Sequence, residues 1–155
     1  MITPVKIVMT KKIISVPIGT TLFEANQLMF EKRLRHLPVI DESNQVIGLL
    51  SQRDLKYVPN SRKISVELMM STPVKFVDQN LSLRNAIFQM LQNKISSLLV
   101  IDNDDAIIGI VTSDDLLWHL SHLLINEVEE NATPLDFKVK QTIGEFARVL
   151  SEIGI

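Results

Sequence analysis

The stretch Arg35-His36-Leu37-Pro38-Val39-Ile40-Asp41, with Gly48-Leu49-Leu50-Ser51-Gln52-Arg53-Asp54 shortly after it, is written twice in this chain. It returns as Ser96-Ser97-Leu98-Leu99-Val100-Ile101-Asp102 and Gly109-Ile110-Val111-Thr112-Ser113-Asp114-Asp115. The offset is 61 residues throughout, from Asp41 to Asp102, Gly48 to Gly109 and Asp54 to Asp115. The register holds without a gap back to Met9 and Met70. Two copies of one unit stack so that each covers the apolar face the other cannot bury alone. Matched polar residues in such a pair point to paired ligand sites.

Each copy carries the same succession of local signals. A short helical turn ends at Met9-Thr10 or Met70-Ser71. Next comes Ile13-Ile14-Ser15-Val16 or Val74-Lys75-Phe76-Val77, where β-branched and aromatic residues favour a strand. Thr21, with Glu24 three residues on, fits a capping box. Leu22, Ala25, Met29 and Leu83, Ala86, Met90 recur at helical spacing. Arg33 and Lys94 stand near the ends of these helices, where positive charge is favoured. Leu37–Ile40 and Leu98–Ile101 read as buried strands. The polar turns after them, Asp41-Glu42-Ser43-Asn44 and Asp102-Asn103-Asp104-Asp105, are rich in residues that bond their own backbone. A second strand leads to Gly48 or Gly109, read as points where the chain bends, and a helix begins near Ser51 or Thr112. The expected order in each copy is strand-helix-strand-strand-helix.

Residues from Val58 to Lys63 hold turn formers and no period, so they join the copies. The second copy's last helix is expected to run through Leu116, Leu120, Leu123 and Leu124 toward Val128, until Asn131-Ala132-Thr133-Pro134 breaks it. A final helix is expected from about Val139, with Ile143, Phe146, Ala147 and Leu150 on one face. The division that follows is 1–61 and 62–124 for the repeats and 125–155 for a C-terminal helical extension.

Bulk properties bound the function. The chain has 155 residues, 46% hydrophobic and 22% charged, which suits an ordered core. A net charge of −2 offers no general attraction for nucleic acid or an anionic membrane. There are no cysteines, which excludes disulfides and Cys-based zinc sites. No basic segment with a long apolar run opens the chain, and no apolar stretch reaches a bilayer span, so a cytoplasmic location is the expectation. No P-loop, no Gly-x-Gly-x-x-Gly and no His-Glu-x-x-His is present. His119 and His122 lie three apart on a helix without an evident third ligand, so a surface or dimer contact is expected there rather than a metal. Trp118 and Tyr57 hold matching places and are assigned to core or dimer packing.

The Met-Thr before the first strand, Leu-Pro-Val-Ile-Asp, and Gly-x-x-[Ser/Thr]-x-x-Asp before the last helix resemble the CBS domain family, named after cystathionine β-synthase. The resemblance covers about residues 3–124. The second copy departs from it at Leu99, where proline is frequent, and at Ser96-Ser97, where a basic pair is frequent. The resemblance implies an α+β fold, a pseudo-twofold pair of β-α-β-β-α repeats often called a Bateman module, here followed by a helical tail. It implies two clefts between the repeats that hold AMP, ADP, ATP, S-adenosylmethionine or a dinucleotide. Such modules act as allosteric regulators rather than enzymes and pair into homodimers. They require no cofactor, and without a fused effector the output passes in trans to a regulated protein.

Residue by residue, the resemblance makes Asp54 and Asp115 the ribose readers, with Ser51 and Thr112 on the ribose–phosphate side. An ionised Asp has the lone pairs to accept from both ribose hydroxyls, and a helix N-terminus offers free N–H groups to phosphate. The same residues also form a capping arrangement, a hydroxyl with an acid three residues on, and that alternative stays open. Arg35 and His36 are placed at the cleft mouth to grip phosphate, against Ser96 and Ser97 in the second copy, which bring no charge. Arg53 and Asp114 join the candidates within the same segments. The base pocket is assigned to Thr10, Ile13, Ser15 and Leu34, and to their counterparts Ser71, Val74, Phe76 and Ile95. The two sites are therefore expected to be unequal. A different class of function, a ligand-free dimerisation scaffold, is the alternative.

Overall fold

The structure, a computed structural model, describes residues 3–55 and 62–131, with side-chain surroundings for those up to 124. Tyr57, most of the expected connector, the break after Asn131 and the expected helix from Val139 lie outside the described residues.

Local chemistry sets the helices. α1 (Leu22–Lys32) starts at Thr21, whose hydroxyl accepts the Glu24 N–H at 3.2 Å, while the Glu24 carboxylate accepts the Thr21 N–H at 2.8 Å. The reciprocal pair satisfies two orphan donors of the first turn. The Thr21 hydroxyl, and then its backbone N–H, hold the Glu24 carboxyl below its ordinary range. α3 (Leu83–Asn93) starts at Ser82, which accepts the Asn85 N–H at 3.3 Å. Both helices end on a residue in the left-handed region, Arg33 (φ 53°) and Lys94 (φ 54°).

Two three-stranded sheets follow the repeat. In the first, β1 (Val16–Pro17) runs parallel to β2 (His36–Ile40), which pairs antiparallel with β3 (Val46–Ser51). In the second, β4 (Phe76–Asp78), β5 (Ser97–Ile101) and β6 (Ile107–Thr112) take the same order. The turns between the antiparallel strands are closed by aspartate. Asp41 Oδ1 accepts from the N–H groups of Ser43 and Gln45, and Asp102 Oδ1 from those of Asp104 and Ala106. α2 (Gln52–Leu55) follows β3, and α4 (Ser113–Asn131) follows β6. The observed order is the expected α+β succession.

The repeats exchange their first residues. Val5 lies in a short 3-10 turn, Val5–Ile7, at the start of the first copy, yet it is fully buried with Val77, Ala86, Met90, Leu98, Val100 and Val111 of the second. Val66, 61 residues on in the turn Val66–Leu68, is fully buried with Leu22, Ala25, Met29, Leu37, Val39 and Leu50 of the first. Backbone bonds of 2.8 and 2.9 Å, from Val5 N–H to Leu81 and from Val66 N–H to Thr20, fix the two crossings. Neither sheet has a complete core without the other repeat.

This exchange explains why β1 and β4 are shorter than the sequence suggests. Thr10 bridges to Ile110 of the second sheet, and Ser71 bridges to Leu49 of the first. Within a few residues the chain must leave that partner and reach its own sheet, where Val16 pairs with Val39 and Phe76 with Leu99. The intervening residues are spans between sheets, not strand. The glycines also gain a different reason. A Cβ on Gly48 would collide with Met70, and one on Gly109 with Met9. Each glycine admits a methionine of the other repeat; neither has the positive φ of a bend.

Residues up to Leu116 form one compact unit, and α4 from Leu117 on belongs to a second. Leu117, Trp118, Leu120, Leu123 and Leu124 of α4 are exposed. The His122 ring stacks on Trp118 with centroids 3.8 Å apart, and its Nδ1 lies 2.9 Å from the Trp118 carbonyl oxygen. No helix among the described residues is long and apolar enough to cross a membrane.

Candidate functional site

The exchange places the end of one repeat's β3 beside the start of the other. Ser51 closes β3 opposite His36, which opens β2. Ser71 pairs with Leu49, one pleat away. Between them lies a crevice of about 380 Å³, within the roughly 300–1,000 Å³ of small-molecule sites. The first repeat lines it with His36, Leu49, Ser51, Arg53 and Asp54, and the second with Ser71, Pro73, Val74, Lys75, Lys94, Ile95, Ser96 and Ser97.

Asp54 is oriented by its own chain. Ser51 donates to Asp54 Oδ2 from its backbone N–H at 2.8 Å and from its hydroxyl at 2.7 Å. Both bonds fall on one oxygen. Among the described residues none bonds to Oδ1, which keeps acceptor capacity for a hydroxyl. The cap and the ligand reading therefore do not exclude each other.

Ser96 ties the two repeats together across the crevice wall. Its hydroxyl accepts from the Arg53 guanidinium at 3.1 Å and lies 3.0 Å from His36 Nε2. His36 is pushed down to about 4, first by burial and then by the charges of Arg35 and Arg53; Asp114 and Asp54 oppose this. At neutral pH its imidazole is an uncharged hydrogen-bonding group, able to offer a ring N–H but no positive charge. The positive charge of the crevice comes instead from Arg53, Lys75 and Lys94. The two lysines were not candidates in the sequence. Their signal was position, since they flank the candidates Val74 and Ile95.

Of the sequence candidates, His36, Ser51, Arg53, Asp54, Ser71, Val74, Ile95, Ser96 and Ser97 meet in this crevice. Thr10, Arg35, Thr112, Asp114 and Asp115 meet at the pseudo-symmetric place. There Thr112 donates to Asp115 Oδ2 from its N–H and its hydroxyl, both at 2.7 Å. Thr10 donates to Asp115 Oδ1 at 3.2 Å, and Arg35 pairs with Asp114. Leu34 packs partly buried against the first core, and Phe76 on β4 is 42% exposed. Ile13 and Ser15 lie partly buried on the span before β1. Among the described residues no three or more His, Asp or Glu side chains cluster as a metal site.

A duplicated α+β unit with exchanged turns, and a crevice built by both repeats, defines the class. The model of the CBS domain matches the chain twice, at residues 5–60 and 64–122. The chain belongs to the CBS domain family. It is 34% identical over 118 residues to an uncharacterized 17.7 kDa protein of Acidianus ambivalens, covering 75% of this chain and 72% of that one. It is 31% identical over 109 residues to homoserine O-acetyltransferase of Methanohalobium evestigatum, covering 70% of this chain but 22% of the enzyme. This chain thus spans about a fifth of that relative's length. In fold it matches the CBS domain pair of protein MJ0100 in complex with 5'-methylthioadenosine and S-adenosyl-L-methionine. That match has a TM-score of 0.71 at 24% identity and covers 79% of this chain and 98% of the other.

Proposed function

We propose that this chain is a regulatory module, not an enzyme, that binds an adenosine nucleotide (AMP, ADP or ATP) in the Asp54 crevice. One observation carries the reading: a carboxylate with spare acceptor capacity shares a crevice with three cations drawn from both repeats. Asp54 suits the ribose hydroxyls, and Arg53, Lys75 and Lys94 suit phosphate. Val74 and Ile95 provide apolar surface for a base. The MJ0100 pair is described with two adenosine compounds, which supports an adenosyl group here. The cations favour the phosphate series, because methylthioadenosine is uncharged and S-adenosylmethionine carries a sulfonium. The output passes in trans, to a partner protein or between two copies of the chain.

The test is calorimetric titration of AMP, ADP, ATP, S-adenosylmethionine and methylthioadenosine into wild type and Asp54→Ala. A nucleotide is expected to bind, and the variant to lose on the order of 10- to 100-fold in affinity, as for a hydrogen bond to a charged group. Unchanged affinity in Asp54→Ala removes Asp54 from the ribose role. The capping bonds from Ser51 and Thr112 favour a second reading, a ligand-free scaffold. A flat thermal shift across the nucleotide panel would select it, because any ligand of the folded state raises the melting temperature.

A further inference from the structure

The two repeats place equivalent residues at equivalent crossings, and the side chains there differ in charge. Positions 35 and 96 are counterparts, as are 53 and 114. At one crossing Arg53 donates to the Ser96 hydroxyl at 3.1 Å. At the other, Arg35 pairs with the carboxylate of Asp114. The guanidinium keeps its charge at the first crossing and is matched by an opposite charge at the second.

The ribose positions differ in the same sense. Asp54 uses only Oδ2 in the bonds from Ser51. Asp115 uses both oxygens, Oδ2 for Thr112 and Oδ1 for Thr10. A ribose at Asp115 must first displace Thr10, and its phosphate must meet the charge of Asp114. The Arg35–Asp114 pair has side chains 49% and 59% exposed, so it adds little to stability. Its consequence is local charge.

Resting on the nucleotide reading above, we infer that the chain takes one nucleotide, in the Asp54 crevice, and that Asp114 is the residue that keeps the Asp115 side from taking a second. The contacts of Arg35 and Thr10 act as internal occupants of that side. Asp114→Arg removes the ion pair and installs the residue type found at position 53. Asp114→Asn removes the charge alone. Position 114 is exposed, so both substitutions leave the core untouched.

The experiment is calorimetric stoichiometry with ATP and AMP on the full chain. Wild type is expected to bind one nucleotide per chain and Asp114→Arg two. Asp54→Ala combined with Asp114→Arg is expected to retain one, now on the Asp115 side. Asp114→Asn combined with Thr10→Ala provides a second route to the added site and is also expected to bind two. Two sites of similar affinity in wild type overturn the inference while leaving the nucleotide reading intact. One site in both Asp114 variants overturns it in the same way. No binding of either nucleotide by wild type overturns the underlying reading, and this inference with it.

Discussion

His36 sets a pH dependence whose size follows from its surroundings. Burial and the charges of Arg35 and Arg53 lower it from the ordinary 6.5 to about 4 in the folded chain. In the unfolded chain it titrates near its ordinary value. Between those values the unfolded state binds the extra proton, so stability rises with pH across that window. The contribution is fully present above pH 6.5 and is lost as pH falls toward 4. From pH 7 to pH 5 the difference in proton binding integrates to about 2 kcal/mol. Most ordinary carboxylates are still ionised at pH 5, which leaves His36 dominant in that interval. His36→Gln keeps a hydrogen-bonding group for Ser96 and removes the titration. Urea unfolding of both proteins at pH 7 and pH 5 reads the difference. Wild type is expected to lose about 2 kcal/mol more than the variant over this interval. Parallel losses in the two proteins would refute the claim that His36 is held neutral by its site.

Further outcomes follow from the packing. Val5→Ala is expected to cost about 1–2 kcal/mol through the cavity it leaves. Hydrogen exchange should place the loss of protection on β6, in the repeat to which Val5 does not belong in sequence, and loss confined to β3 would contradict the exchange. Thr21→Ala removes the hydroxyl half of the α1 capping box, keeps the backbone N–H of residue 21 for the Glu24 carboxylate, and is expected to lower stability by about 1 kcal/mol in denaturant unfolding. Ser82→Ala, with a single and longer cap bond, should cost less.

What the sequence made legible was local. The Thr21–Glu24 cap, the aspartate turns and the antiparallel pairs those turns close depend on chemistry within a few residues, and they appear where the residue types put them. The exchange of Val5 and Val66 was not legible, because an apolar residue announces burial without naming the core that receives it. The crossings of Thr10 and Ser71 were hidden for the same reason, and they shortened the first strand of each sheet. The candidate site was half legible. Asp54 and Ser51 stand out by spacing, but Lys75 and Lys94 enter the crevice only because their repeat crosses over. The neutrality of His36 depends on burial and two arginines, neither of which a lone Arg-His dipeptide reveals.

The exchange also constrains how a ligand can act on this fold. A ligand in the Asp54 crevice touches α2 and the end of β3 in one repeat, and the spans before β4 and β5 in the other. It cannot work by swinging the repeats apart, since Val5 and Val66 each complete the core across the boundary. Opening that boundary would expose two fully buried valines and break the bridges at Thr10 and Ser71 together. The freedom that remains lies in the exposed charged groups of the crevice, Arg53, Lys75 and Lys94. A charged ligand acts on such groups by its differential attraction for their alternative pairings. The exchanged cores hold the two repeats as one frame, within which the counterpart positions 35 and 96, and 53 and 114, differ in charge.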